Sequence, residues 1–333
     1  MWMLLARFDV HAIMRLKYFI IVMTHMEELL YFYAPYLILV GLGYVARVTN
    51  YMPQDMTEIL GKYFVRFPIP ATCFLMIAKF PLEKISVFAL FAATFFCVLL
   101  AAFCICFLAA VFIGQSKSDA AAMATHATCP SISTLGLPLI LALPGGADLI
   151  DLWSLAILIE LLLISSLMVP LNDMTTGVIT GGVLQRVGKS LQSPVIIASA
   201  CGFLVAIKGW HVPTLATQYF QSIMAGLTAI VMLVLGGKFH TRGLVKPHVA
   251  ELLVIGVKNL LMPAMTLVMC VFLGIKGAPA HVMLILSACP CSGLAPAITK
   301  NSHFGMRSAA PVMVFSLALS LLVMPFCVYK AVI

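Results

Sequence analysis

Charge is what this sequence has least of. Only 10% of its 333 residues are Asp, Glu, Lys or Arg, where a soluble globular chain carries about a quarter. Hydrophobic residues make up 62% and the mean hydropathy is +1.09. That leaves too little polar surface for a water-soluble fold. Long polar connections are also missing. The longest hydrophilic stretch between apolar segments, 172–192, has no room for a soluble catalytic or nucleotide-binding domain. No zinc-protease spacing and no nucleophile–base pair stands out, which argues against a membrane enzyme, and no output domain is present to suit a receptor. The ten cysteines do not form a disulfide framework. Cys73, Cys97, Cys104, Cys106, Cys201, Cys270 and Cys327 all fall within apolar segments, where a thiol acts as a small hydrophobe.

What is present is a series of apolar stretches, each long enough to cross a bilayer as a helix. They read as 29–47, 57–79, 86–113, 119–143, 152–171, 193–208, 214–236, 248–274, 279–300 and 308–329. The expected fold is all-α and polytopic with about ten transmembrane helices, and the expected partner is the lipid bilayer. The formal net charge of +8 belongs to loop lysines and arginines and is no nucleic-acid footprint. Residues 1–28 lack a clean signal-peptide pattern. They read as an N-terminal extension or a start set too early, with Met23 or Met26 as other starts, and Arg7, Arg15 and Lys17 carry no functional weight.

The chain repeats itself. "APYLILVGLGYVARV" at 34–48 matches "SPVIIASACGFLVAI" at 193–207, with Pro35 and Pro194 each eight residues before Gly43 and Gly202. Pro53 then matches Pro213, "IAKF" at 77–80 matches "GGKF" at 236–239, "TCPS" at 128–131 matches "ACPC" at 288–291, and "MVPL" at 168–171 matches "VMPF" at 323–326. Six matches in order, at an offset of 159–160 that falls to 155 only at the last, describe two copies, 29–171 and 193–333, joined by a short cytoplasmic loop at 172–192. Five spans per copy invert the second copy relative to the first. Basic residues concentrate on one side (Arg47, Lys117, Arg186, Lys189, Lys238, Arg242, Lys246, Lys300 and Arg307), which places both termini outside.

Two spans are broken in matching places. "THATCPSISTLGLPLILALPGG" at 125–146 and "SACPCSGLAPAITKNS" at 287–302 carry prolines at bilayer depth. Proline removes an amide donor and clashes with the preceding turn. The freed backbone groups are tolerated only where protein or a water-filled cavity satisfies them. Matched broken helices in an inverted repeat point to a secondary transporter whose solute sits at the breaks. The candidate contacts are Pro130, Ser131, Ser133, Thr134, Pro290 and Ser292. Lys258 and Arg66 are candidate positive charges for an anion, the other reading being snorkelling or pairing with a carboxylate such as Glu160. Glu160, the one acid well inside a span, and His126 are candidates for ion coupling, with uniport and exchange left open. No acid cluster suggests a cage for a hard cation.

A second reading is a soft-metal carrier or sensor. Cys289-Pro290-Cys291 resembles the cysteine–proline pairs of copper and zinc pumps, and Cys129 and His126 could approach it if the broken helices cross. Thiolates favour copper(I) or zinc, but the chain has neither an ATPase domain nor a metal-binding head.

In the order and spacing of its motifs the chain resembles the auxin efflux carrier family, which includes bacterial malate and malonate permeases. The resemblance spans about 29–330 and rests on "APYLILVGLGYVAR", "ISTLGLPL", "SPVIIASACGFLVA", "VKNLLMPAM", "CPCSGLAPAITKNSHFG" and "SLALSLLVMPF". It implies a ten-span fold like that of bile-acid and sodium–proton carriers. Spans one, two, six and seven would form a scaffold, often a homodimer interface. Spans three to five and eight to ten would form a transport unit in which broken spans four and nine cross. It also implies a small organic anion as substrate, no cofactor, no enzymatic activity and, for this branch, a multi-pass protein of the bacterial inner membrane. Two departures stand out. Ser131 replaces the family's usual asparagine five residues before Gly136, and Pro296 is an addition to the second broken span.

Overall fold

The computed structural model describes residues 34–35, 38–53, 56, 59–60, 63, 66–79, 85–141, 145–177, 194–219, 222, 229–230, 233, 236–237 and 247–332. The N-terminal extension, most of the 172–192 loop and most of the seventh apolar stretch lie outside them. Every regular element within them is helical. In chain order these are α1 (Ile38–Val48), α2 (Pro68–Ala78), α3 (Ile85–Phe112), α4 (Lys117–Thr128), α5 (Leu137–Leu141) and α6 (Ile150–Thr176). After the loop come α7 (Pro194–Lys208), α8 (Val249–Phe272), α9 (Ala278–Ala288), α10 (Ala295–Ile298) and α11 (His303–Val332). Three stretches, Phe88–Phe112 in α3, α6 and α8, are continuous helices long and apolar enough to span a bilayer, and α11 adds a fourth if its two arms count as one span. Those arms, His303–Ala309 and Pro311–Met324, meet at 52°.

Proline sets the shape of these helices. Three π turns, Ile132–Gly136, Ile164–Met168 and Val257–Leu261, each end two residues before a proline: Pro138, Pro170 and Pro263. A proline ring inside a helix collides with the carbonyl four residues back. In each case that residue (Thr134, Ser166 or Asn259) lies within the π turn, where one extra residue widens the helix and relieves the collision. Lys258 and Asn259 are sequence neighbours on α8, yet both are fully buried.

The two breaks expected at matching depth are both present. α4 stops at Thr128 and α9 stops at Ala288, and extended residues follow each. The main buried cluster draws on α3, α4, α6, α8, α9, α11 and the segments around the breaks, and among the described residues none of its buried members comes from α1, α2 or α7, although Leu39 and Val40 of α1 pack against it. Instead α2 and α7 pack closely on each other and lean on α6. Gly202 makes the α2–α7 contact possible, because a β-carbon there would lie 2.6 Å from the Phe74 carbonyl oxygen. The same device recurs at Gly43, where an added β-carbon would strike the backbone of Leu233, while one at Gly236 would strike that of Val40. The two glycines matched by the internal repeat thus make equivalent contacts, α1 with residues of the seventh apolar stretch and α7 with α2.

Gly202→Leu should push α7 away from α2 at a cost of about 1–3 kcal/mol and lower the unfolding midpoint in detergent. Gly256, mid-helix with open space where its β-carbon would be, is the control. Gly256→Ala should be neutral or stabilising by about 0.5–1 kcal/mol. Equal midpoints for Gly202→Leu and the unaltered protein would contradict the close contact.

Candidate functional site

The two breaks meet. Residues Cys129–Ser131 and Pro290–Ser292 run antiparallel and form a short bridge with Pro130 opposite Cys291. The Ser131 amide donates to the Pro290 carbonyl at 2.8 Å, and the Ser292 amide donates to the Cys129 carbonyl at 2.8 Å. These bonds flank the Pro130–Cys291 pair, so it is a non-hydrogen-bonded pair whose members use neither amide across the ladder. Proline fits that position without loss, since it has no amide to offer. Pro130, Ser131, Cys291 and Ser292 are all buried.

Three more backbone groups at the crossing are taken up by side chains, the Cys291 amide among them. The Trp153 indole of α6 donates to the Ile132 carbonyl at 2.9 Å. The Lys258 ammonium of α8 donates to the Ser287 carbonyl at 2.8 Å and approaches the Met262 sulfur at 3.6 Å. Ser287 lies in the last turn of α9, where carbonyls lack helical partners and the helix end carries partial negative charge. Lys258 is therefore a fully buried positive charge held on a half-helix C-terminus. Glu160, 3% exposed, is close enough to feel that charge. Among the described residues no ion pair joins the two, so direct pairing is not how either is held. The Glu160 Oε1 atom is buried without a hydrogen-bond partner.

His126 lies one turn before the first break. Its Nε2 lies 3.0 Å from Thr299 Oγ1, which also bonds the Ala295 carbonyl at 2.9 Å, and its Nδ1 faces the Cys291 sulfur at 3.6 Å. Phe304 stands edge-on to the ring at 5.8 Å. Beyond Phe304 lies a cavity of about 390 Å³ at the N-terminal ends of α4, α8 and α11, where Asp119, His248, Glu251, His303 and Arg307 also line the wall. Asp119 accepts from the Phe304 amide at 2.7 Å and ties α4 to α11.

A family model described as membrane transport protein matches residues 32–179 and 183–328. The chain belongs to this membrane transport protein family. It is the family of the auxin efflux carriers, as the motifs implied. A search of curated proteins returns no significant match. Membership makes the protein an integral membrane transporter of a family that is not enzymatic.

In this transporter the candidates drawn from the sequence divide. Pro130, Ser131, Pro290, Ser292, Lys258, Glu160 and His126 gather at or beside the crossing. Arg66 is exposed and stands outside that buried group. Ser133 and Thr134 lie on the π turn after the first break, and their side chains lie outside the description. Cys129 faces the Met168 sulfur at 3.4 Å, Cys291 faces His126 at 3.6 Å, and among the described residues no three His, Cys, Asp or Glu side chains are placed to hold a metal. Sequence reasoning missed Asn172, which donates to Thr125 Oγ1 and the Met168 carbonyl at 2.8 Å each, along with Trp153, Thr299, Asn259 and Ser316. The available signal was polar residues inside apolar spans, most plainly the Asn that follows Lys in "VKNLLMP".

A non-hydrogen-bonded antiparallel pair has its α-carbons about 4.5 Å apart, within disulfide range. Pro130→Cys should therefore cross-link to Cys291 under a membrane-permeant oxidant and join peptides from the two halves after digestion. Absence of that linked peptide, with both thiols recovered free, would contradict the crossing.

Proposed function

We propose that this transporter is a secondary carrier for a small organic anion, such as a mono- or dicarboxylate, and that the anion binds where the two broken spans cross. The observation that carries this is the pairing of Pro130 with Cys291 beside a buried, fixed positive charge on Lys258. An ammonium group that is dehydrated and held by a single carbonyl attracts an anion strongly in an apolar interior. The hydroxyls of Ser131, Ser133, Thr134 and Ser292 supply neutral contacts. Arg66, being exposed, is given no part in binding.

The wider architecture in this reading is ten spans in a 5+5 inverted repeat with both termini outside, in the bacterial inner membrane, on the malate and malonate permease branch. The equivalent glycine contacts at Gly43 and Gly202 and the breaks after Thr128 and Ala288 support the repeat. The division of the core supports a moving body of spans three to five and eight to ten on a scaffold of the rest, the scaffold being the candidate homodimer face. Glu160, with an unpartnered buried oxygen, and His126, one ring away from a polar cavity, are the candidate proton carriers for coupling. The alternating-access step is the displacement of the moving body along the scaffold.

The test is uptake into liposomes holding the purified protein, with labelled malate, malonate, oxalate, lactate and an indole acid, with and without imposed proton and sodium gradients. Saturable uptake of at least one is expected. Lys258→Met, which keeps the apolar stem, should lower that uptake at least about tenfold, since removing a buried hydrogen-bonded charge costs about 2–5 kcal/mol. Arg66→Ala should leave it within about twofold, as befits an exposed charge. Normal uptake by folded Lys258→Met would end the anion-binding role of Lys258, and silence across the panel from a folded, inserted protein would end the organic-anion reading.

A further inference from the structure

The crossing is chemically lopsided. In a non-hydrogen-bonded pair the amides of the paired residues point away from the opposing segment. On one side the residue is Pro130, which has no amide. On the other it is Cys291, whose amide is thus turned away from Pro130 and toward α11. It donates to the Ser316 hydroxyl of α11 at 2.9 Å. Ser316 passes its own proton to Asn259 Oδ1 of α8 at 2.7 Å. Asn259 Nδ2 returns to the Ser316 carbonyl at 2.9 Å. Asn259 and Ser316 are each 0% exposed. The ring fixes every proton: the amide side of Asn259 must face the carbonyl, and the Ser316 oxygen is left with its lone pairs toward Cys291. Asn259 stands beside Lys258 on the π turn ahead of Pro263, and both are buried.

We propose that Asn259 and Ser316 are positioning residues of the carrier site. They hold the Cys291–Ser292 segment against Pro130–Ser131, and they set the direction in which the Ser292 hydroxyl, which accepts from the Leu294 amide at 3.2 Å and keeps its own proton to donate, faces the solute. Lys258 and Asn259 then act from one π turn on the two ends of the second break, Lys258 on the carbonyl before Pro290 and Asn259, through Ser316, on the amide after it. This role rests on the carrier reading above, and it assigns a task to two residues that touch no solute.

The experiment compares Ser316→Ala, Ser316→Thr, Asn259→Leu and the Asn259→Leu/Ser316→Ala double variant. Each is measured for unfolding midpoint, for hydrogen exchange by mass spectrometry, and for the concentration dependence of labelled malate uptake (or of the panel carboxylate that the unaltered protein transports). Ser316→Ala leaves a buried amide unpaired, which lowers the midpoint, and should also raise the half-saturation concentration about tenfold with the maximal rate little changed. Ser316→Thr keeps the hydroxyl and should stay within about twofold. The double variant should be no worse than the poorer single one, because the two residues form one ring. A lower midpoint with an unchanged half-saturation concentration, or losses that multiply in the double variant, would overturn the proposal. If the unaltered protein transports none of the panel, the carrier reading fails and hydrogen exchange judges the ring alone. Faster exchange confined to residues 289–294 in Ser316→Ala upholds it. Unchanged exchange there, or faster exchange throughout α9 and α11, overturns it.

Discussion

A backbone amide or carbonyl without a partner has no place in an apolar interior, and the structure around the crossing follows from that constraint. Prolines at 130 and 290 stop two helices inside the protein and leave several such groups exposed to it. Several of them find partners close by. Two pairs satisfy one another across the antiparallel bridge. Trp153, Lys258 and Ser316 take up three more from outside the broken segments. The pairing therefore does more than join two spans. It dictates which neighbouring helices must carry a polar residue, and on which turn.

The same residue type solves a second problem in the neighbouring helices. Pro138, Pro170 and Pro263 each follow a π turn and do not end a helix. The wider turn relieves the steric clash. On α8 it carries Lys258 and Asn259, both fully buried. Away from the breaks the packing relies on glycine instead, with Gly43 and Gly202 letting backbones touch where any side chain would separate them.

Burying an ammonium and a carboxyl without joining them is costly, and the arrangement of Lys258 and Glu160 shows how that cost is divided. Lys258 obtains a carbonyl and the negative end of a half-helix. Glu160 keeps one oxygen without a partner. A simple ion pair would have neutralised both. Held apart, each is left with its own share of the cost of burial.

The sequence by itself determined the class of the protein, the places where its helices break, and most of the residues near the break. Those features depend on local chemistry: apolar length, proline geometry, and the rarity of Glu160 and Lys258 in apolar spans. The family followed from the order of short motifs along nearly the whole chain. Which groups touch was decided only by the tertiary structure. Arg66 and Lys258 look alike in the sequence, each a basic residue shortly before a proline, yet one is exposed and the other fully buried. Cys129, Cys289 and Cys291 look like a cluster, yet the crossing turns Cys129 to Met168 and Cys291 to His126. Ser316 looks like any small residue in an apolar helix until Cys291 is set against it. The reason is that partner choice at the crossing is fixed by residues more than a hundred positions apart meeting in three dimensions, and by which amides an antiparallel pair turns outward. Neither is written in local spacing.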